Sequence, residues 1–338
     1  MNRPVMNKPL TIVTPTYNRA EYLPRLYRSL VAQTCQDFQW LVVDDGSTDT
    51  TPALCERLCA EGLIDVRYIR KENHGKHTAL NAGIAATDSA LVFIVDSDDY
   101  LLPDAVRRSI DTWSLFGNDR LSGICFLRGI SENVPLGQRF PRNEEIASYI
   151  DMRFNQGVSG DKAEVYRTDI LKRFPFPEFE GERFLAEDAV WARIGLLYEM
   201  VHINEIVYIS NYLPGGLTRG DNSINVRSPN GSVESVRWFL SKQVRLKVRV
   251  PMAWRYIAYG LFAKRRLSGL IRASGAPMLV LTQIPFGLAL YLFWTRKFAD
   301  RLHSHRFVSV NDESASHAFS GGKTHRPSAT GDRLSATE

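Results

Sequence analysis

The apolar run Leu91-Val92-Phe93-Ile94-Val95 stops abruptly at Asp96-Ser97-Asp98-Asp99, three carboxylates within four positions. Five consecutive apolar residues without alternation suit a strand buried on both faces, as in a parallel sheet. Open parallel sheets hold ligands just beyond the carboxyl ends of their strands. Carboxylates gathered there repel one another unless a cation sits among them. Mg²⁺ fits such a place, because it is usually held by one or two carboxylates plus substrate phosphate oxygens. A strand followed by a polar turn, with Pro103 and Asp104 opening the next helix, accounts for the same residues without a metal.

The neighbouring segments repeat the pattern. Leu10 to Val13 is a short buried strand ending in Thr14-Pro15-Thr16, and Phe38 to Val43 is a second, closing in Asp44-Asp45-Gly46-Ser47. Val66 to Arg70 is a third, leading to Asn73-His74-Gly75-Lys76 and a helix through Ala86. Asn18 and Glu21 have the spacing of a capping box for a helix whose apolar face is Leu23, Leu26, Tyr27, Leu30 and Val31. Four strand-then-helix units in succession predict an α/β fold with a mostly parallel, Rossmann-like sheet flanked by helices. Further strands are expected at 121–127, 163–166 and 201–209, with a helix after Glu187-Asp188 carrying Val190, Ile194 and Leu197 on one face. From the residues alone, Glu187 and Asp188 read more readily as simple helix capping. The segment 131–155 carries no clear period.

Charge divides the chain. Between Arg237 and Arg306 lie 14 Lys and Arg against one acid, Asp300, which leaves 28 basic and 36 acidic residues elsewhere. A basic region of that kind marks a surface-binding appendage, not a generally basic protein. Trp254 to Arg272 has the pattern of a basic amphipathic helix. Residues 273–295 are uncharged and mostly apolar, long enough to cross a bilayer, but are interrupted by Pro277 and Pro285 and have basic residues near both ends. A segment lying in the cytoplasmic leaflet is preferred over a spanning one, because a clean span shows asymmetric flanking charge. Nucleic acid is not an expected partner, since the basic stretch adjoins this apolar run. The expected organisation is a catalytic domain over 8–215, a mobile loop or linker over 216–236, membrane-associating helices over 237–305 and a disordered tail over 309–338. Cys35, Cys55, Cys59 and Cys125 form no disulfide or zinc framework. The absence of an apolar signal before the first strand sets the expected location at the cytoplasmic face of the cell membrane.

Taken in order, Pro15-Thr16-Tyr17-Asn18, Asp44-Asp45-Gly46-Ser47, Asn73-His74-Gly75-Lys76, Asp96-Ser97-Asp98 and Glu187-Asp188 resemble the family 2 glycosyltransferases of GT-A fold. The resemblance covers residues 8–215. It implies a nucleotide-sugar donor, read as a UDP-sugar, a divalent metal (Mg²⁺ or Mn²⁺) and inversion at the anomeric carbon. It places Pro15 and Tyr17 against the donor base, with Asp45 and its neighbour Asp44 accepting a hydrogen bond from that base. Lys76 falls beside the nucleotide, Asp96 and Asp98 match the metal-binding Asp-x-Asp, and Asp188 matches the general base. Processive relatives carry Gln-x-x-Arg-Trp after the catalytic acid. Here the nearest stretch is Glu234-Ser235-Val236-Arg237-Trp238, with Glu for Gln, so transfer of one sugar is expected. The acceptor is expected to be a glycan, lipid-linked and at a membrane surface. Transfer to polyprenyl phosphate, or a catalytically silent nucleotide-sugar-binding adaptor, are the alternatives.

Overall fold

In the computed structural model, which describes residues 8–210 and 223–299, the first four strands are β1 (Leu10–Thr16), β2 (Phe38–Asp44), β3 (Val66–Arg70) and β4 (Leu91–Ile94). They pair in parallel, in the order β3-β2-β1-β4. The intervening helices are α1 (Leu23–Val31), α2 (Thr51–Glu61) and α3 (Lys76–Ala85). Beyond β4 the sheet is mixed. β5 (Tyr100–Leu101) and α4 (Ala105–Phe116) are followed by β6 (Leu121–Gly129), β7 (Glu145–Ala147), β8 (Lys162–Arg167) and α5 (Thr168–Arg173). Then come α6 (Asp188–Gly195) and β9 (Glu199–Ile209). β8 runs antiparallel to both β4 and β6, while β6 and β9 are parallel. The parallel half of the sheet therefore ends at β4, the strand whose end carries the carboxylates.

Both faces of the sheet are covered at its centre, which is why β2 and β4 are nearly continuous apolar runs. One core layer joins Ile12, Trp40, Val42 and Phe93 to Leu26 and Leu30 of α1, Leu54 of α2 and Val106 of α4. The other joins Val13, Leu41, Val92 and Tyr166 to Leu80 of α3, Ile170 of α5 and Val190 and Ile194 of α6. Leu197 lies past the end of α6 and is exposed, because the strand resumes at Glu199. Pro15 is tolerated inside β1 because pairing with β4 stops at Val13, so no ladder bond needs its missing N–H.

Three local expectations are corrected. Asn18 caps no helix: Pro24 fixes the start of α1 at Leu23, and Asn18 sits at φ 51° with its Oδ1 accepting from the Thr48 N–H at 2.8 Å. The linker placed at 216–236 contains α7 (Ser223–Arg227) and α8 (Pro229–Arg237), with Pro229 in the first turn, where its missing N–H is harmless. Residues 216–222 of that linker lie outside the described residues. The basic amphipathic helix is two helices, α9 (Leu246–Phe262) and α10 (Leu267–Ala273), broken at Lys264 with φ 55°. Its apolar residues Ile257 and Leu270 pack inside the protein with Val233 of α8 and Val280 and Trp294 of α11 (Pro277–Lys297). The tail at 309–338 also lies outside the described residues.

Candidate active site

Three loops meet at the carboxyl edge of the parallel strands. The first is the β2–α2 turn. Asp44 is fully buried: it accepts from the Ser47 N–H at 2.8 Å and the Tyr68 hydroxyl at 2.7 Å, and pairs with Arg70 at 3.9 Å. From that buried position it builds the turn. Gly46 (φ 82°) is required there, since a Cβ would lie 2.9 Å from the Asn73 nitrogen.

Asp45 holds the second loop. Its Oδ1 accepts from Lys71 Nζ at 2.7 Å and the His74 N–H at 3.1 Å, and its Oδ2 accepts from the Gly75 N–H at 2.7 Å. Three bonds on a group with about four lone-pair sites leave one direction open. Tyr17, half-buried, follows directly on β1. Gly75 has φ 101°, and a Cβ there would stand 2.0 Å from the Arg183 carbonyl oxygen, so this loop lies tight against the segment that precedes α6.

Lys76, first residue of α3, joins the loops. Its Nζ is 2.5 Å from Asp96 beyond β4 and 2.8 Å from Glu187, the residue before α6. Arg128, from the end of β6, pairs with the other Asp96 oxygen at 3.5 Å and with Asp99 at 3.8 Å. Burial works to raise the Asp96 pKa, but Lys76 and then Arg128 outweigh it and hold the carboxyl at about 2. Asp99 goes the other way. Burial first and the Asp96 charge next push it up to about 6, against hydrogen bonds such as that donated by the Tyr208 hydroxyl at 2.7 Å. Asp98 is half-buried, its main-chain carbonyl accepts from Arg25, and among the described residues its carboxylate has no hydrogen-bond or ion-pair partner.

Asp188 opens α6 beside Glu187. Its Oδ1 accepts from the Tyr149 hydroxyl. Burial raises its pKa, Tyr149 and Arg153 oppose this, and the Glu187 charge adds to it. A carboxylate with a raised pKa holds a proton more strongly than an ordinary one, which suits Asp188 to accepting a proton. The structure thus links Asp45, Lys76, Asp96 and the Glu187-Asp188 pair through one set of contacts. Sequence reasoning missed Lys71, Arg128, Tyr149 and the bridging role of Glu187. Arg128 had a signal, a charged residue ending the apolar strand β6; Tyr149 had none, because 131–155 lacks a period.

No group of three His, Cys, Asp or Glu side chains that could cage a metal occurs among the described residues. A divalent ion arriving with a diphosphate does not need such a cage, since one or two carboxylates suffice. The uncommitted Asp98 carboxylate fits that donor set directly. Asp96 fits as its neighbour, held at present by two cations.

Residues 11–165 match the family described as Glycosyl transferase family 2. The chain is 39% identical over 114 residues to the succinoglycan biosynthesis protein ExoO of Rhizobium meliloti, covering 33% of this chain and 32% of that one. Across most of the curated relatives compared, the chain spans a third or less of their length, 32% and 14% in two further cases. The fold is similar to the crystal structure of S. aureus TarS (TM-score 0.57, 17% identity, 88% of this chain and 93% of that one). It is also similar to the mannosyltransferase PcManGT of Pyrobaculum calidifontis, solved with GDP-Man and Mn²⁺ (TM-score 0.52, 18% identity, 88% and 85%). The strand order that ends its parallel half at β4, the carboxylates at that end and this match agree: the segment 11–165 is that of a family 2 glycosyltransferase, in the GT-A fold.

Proposed function

We propose that the protein transfers one sugar, with inversion, from a nucleotide-diphosphate sugar (a UDP-sugar) to a hydroxyl of a lipid-linked glycan during cell-surface polysaccharide synthesis. The observation that carries this is the Lys76 bridge, which brings the end of the donor strand and the acid at the head of α6 to one place. Tyr17 and Pro15 flank the donor base, and Asp45 offers its open lone pair to it. Lys76 turns its ammonium toward the diphosphate oxygens. Asp98, with Asp96 beside it, holds Mg²⁺ or Mn²⁺, which when bound neutralises the diphosphate leaving group. Asp188 takes the proton of the acceptor hydroxyl as it attacks, and Tyr149 fixes the direction of the accepting oxygen. The name of ExoO supports polysaccharide synthesis, and the ligands of PcManGT support a nucleotide-sugar donor with a divalent ion. Single transfer is favoured by Glu234, which pairs with Arg237 at 3.5 Å where processive enzymes present Gln.

The membrane reading rests on α11. It is 21 residues long with mean hydropathy 1.5, and only 17% of its apolar window is buried. Val280, Gly287 and Trp294, seven apart, form the buried stripe against α9, where a Cβ on Gly287 would meet Ile257 at 2.5 Å. The opposite face exposes Met278, Leu281, Phe286, Leu288, Leu292 and Phe293. Each such side chain gains about 1.5–3 kcal/mol on full burial. A spanning orientation would carry the neighbouring Arg255 of α9, which is exposed, into hydrocarbon. An in-plane position on the cytoplasmic leaflet leaves the cations of α9 and α10 at anionic headgroups instead.

The test is to incubate the purified full chain with a panel of UDP- and GDP-sugars and assay release of the nucleoside diphosphate. Release from a UDP-sugar, lost on chelation of divalent ions, is expected. No release from any donor, with nucleotide binding intact, would mark a silent binding protein.

A further inference from the structure

Residues 174–187, between α5 and α6, bring Glu187 and Asp188 to the site without regular structure of their own. The first half of this segment is fastened to α3. The Asn81 side chain donates to the Phe176 carbonyl and accepts from the Phe176 N–H, both at 2.9 Å, and also donates to Glu178 at 2.7 Å. The second half has a different anchor. Glu182 Oε1 accepts from the N–H and the side-chain amide of Asn230, each at 2.9 Å, and Oε2 accepts from the Gly231 N–H at 2.8 Å.

Asn230 and Gly231 lie in the first turn of α8, where N–H groups have no helical acceptor and the dipole favours an anion. The Asn230 side-chain oxygen is in turn held by Arg265 Nε and Nη2 at 3.2 and 2.8 Å, from the turn between α9 and α10. The fit is close. A Cβ on Gly231 would come within 3.1 Å of the Phe184 carbonyl oxygen and of the Leu185 side chain. A continuous chain of polar contacts therefore runs from the C-terminal helices, through Asn230, to a carboxylate five residues before Glu187.

We propose that Glu182 is a positioning residue, docking the segment that carries Glu187 and Asp188 onto α8, so that the C-terminal helices complete the catalytic unit. The proposal rests on the reading of Asp188 as base. Glu182 reaches none of the reacting atoms and acts only through the segment's placement. Without it, the stretch from Glu178 to Ala186 keeps its tie to α3 and loses its tie to α8. None of the hydrogen bonds made by the Asp45 carboxylate or the Asp98 carbonyl runs through Glu182, whereas the base follows on the same segment.

The test uses the full chain with Glu182→Ala, Glu182→Gln and Asn230→Ala. Amide hydrogen exchange over residues 178–190 is expected to rise about tenfold or more in Glu182→Ala, with residues 91–99 unchanged. UDP affinity in the presence of Mn²⁺ should stay within about twofold, while kcat with UDP-GlcNAc as probe falls about 10–100-fold, the range for misplacement by about an ångström. Glu182→Gln keeps an acceptor for Asn230 and should fall between; it also serves if the alanine variant does not fold. Glu182→Ala combined with Asn230→Ala should cost no more than the larger single change. Unchanged exchange over 178–190, or UDP affinity falling in step with turnover, overturns the proposal. If the parent chain turns over no nucleotide-sugar, the transferase reading fails separately and hydrogen exchange still decides the anchoring.

Discussion

Lys76 serves two carboxylates at once, and the consequences differ at each end. Toward Asp96 it sustains an ionised group whose stabilising pairing is present above the ordinary carboxylate range and is lost only as pH falls through about 2. Toward Glu187 it compensates a charge that would otherwise bear more heavily on Asp188. Because the Asp188 pKa is raised above 3.8, turnover should fall on the acid side at a pH above that value, as the base becomes protonated. Asp188→Asn should abolish this limb and cut transfer by about 10² or more with UDP affinity unchanged, a result read by initial rates and calorimetry. Asp98→Ala should weaken metal-dependent UDP binding by at least the roughly 10–100-fold that loss of a mere supporting partner costs. Titration of UDP with and without Mn²⁺ checks it. Asp96 and Asp98 were legible because they follow an apolar strand directly, and Asp188 only through the resemblance. Lys71 was not, since its partner is fixed by packing between segments distant in sequence, which no local pattern records.

Elements were legible where periodicity and position agreed. β1 to β4 fall where their apolar runs put them, and α3 ends at Ala85 as expected, because tertiary contacts and local pattern favour the same state. Asn18 misled because its spacing to Glu21 suits a cap, while Pro24 delays the helix and frees the side chain to hold the next loop. α9 and α10 misled for another reason: the left-handed turn between them is taken by Lys264, not by the glycine or asparagine that usually signals one. Gly75 is the reverse case, a glycine whose conformation is needed. Gly75→Ala must either shift the Arg183 main chain or abandon φ 101°, at about 1–3 kcal/mol for a strained conformation of this kind. A lower melting temperature together with weaker UDP binding is expected, since the Gly75 N–H also serves Asp45. A parent-like melt and affinity would mean that the loop relaxes freely.

At the scale of the whole molecule, charge and apolar surface are sorted to one end. That asymmetry was plain in the sequence, but its geometry was not, because the face of α11 turned inward depends on how it crosses α9. Leu281→Glu with Leu292→Glu and Phe293→Glu alters only the outward face. The triple variant should keep its melting temperature and lose flotation with anionic vesicles. Unchanged flotation would place the contact elsewhere, and a concentration-dependent dimer without lipid would assign the face to a second copy.

The change from parallel to antiparallel pairing beside β4 divides the chain at a point that protein engineering can use. Everything proposed to recognise the donor lies before residue 100, in one uninterrupted stretch, while the base and most of its supports come from residues 149–265, tied back to the first part through Lys76 and Asn81. A hybrid joined in the β5–α4 connection, taking its first part from a relative with another nucleotide-sugar, should inherit that relative's donor and retain the acceptor of this protein.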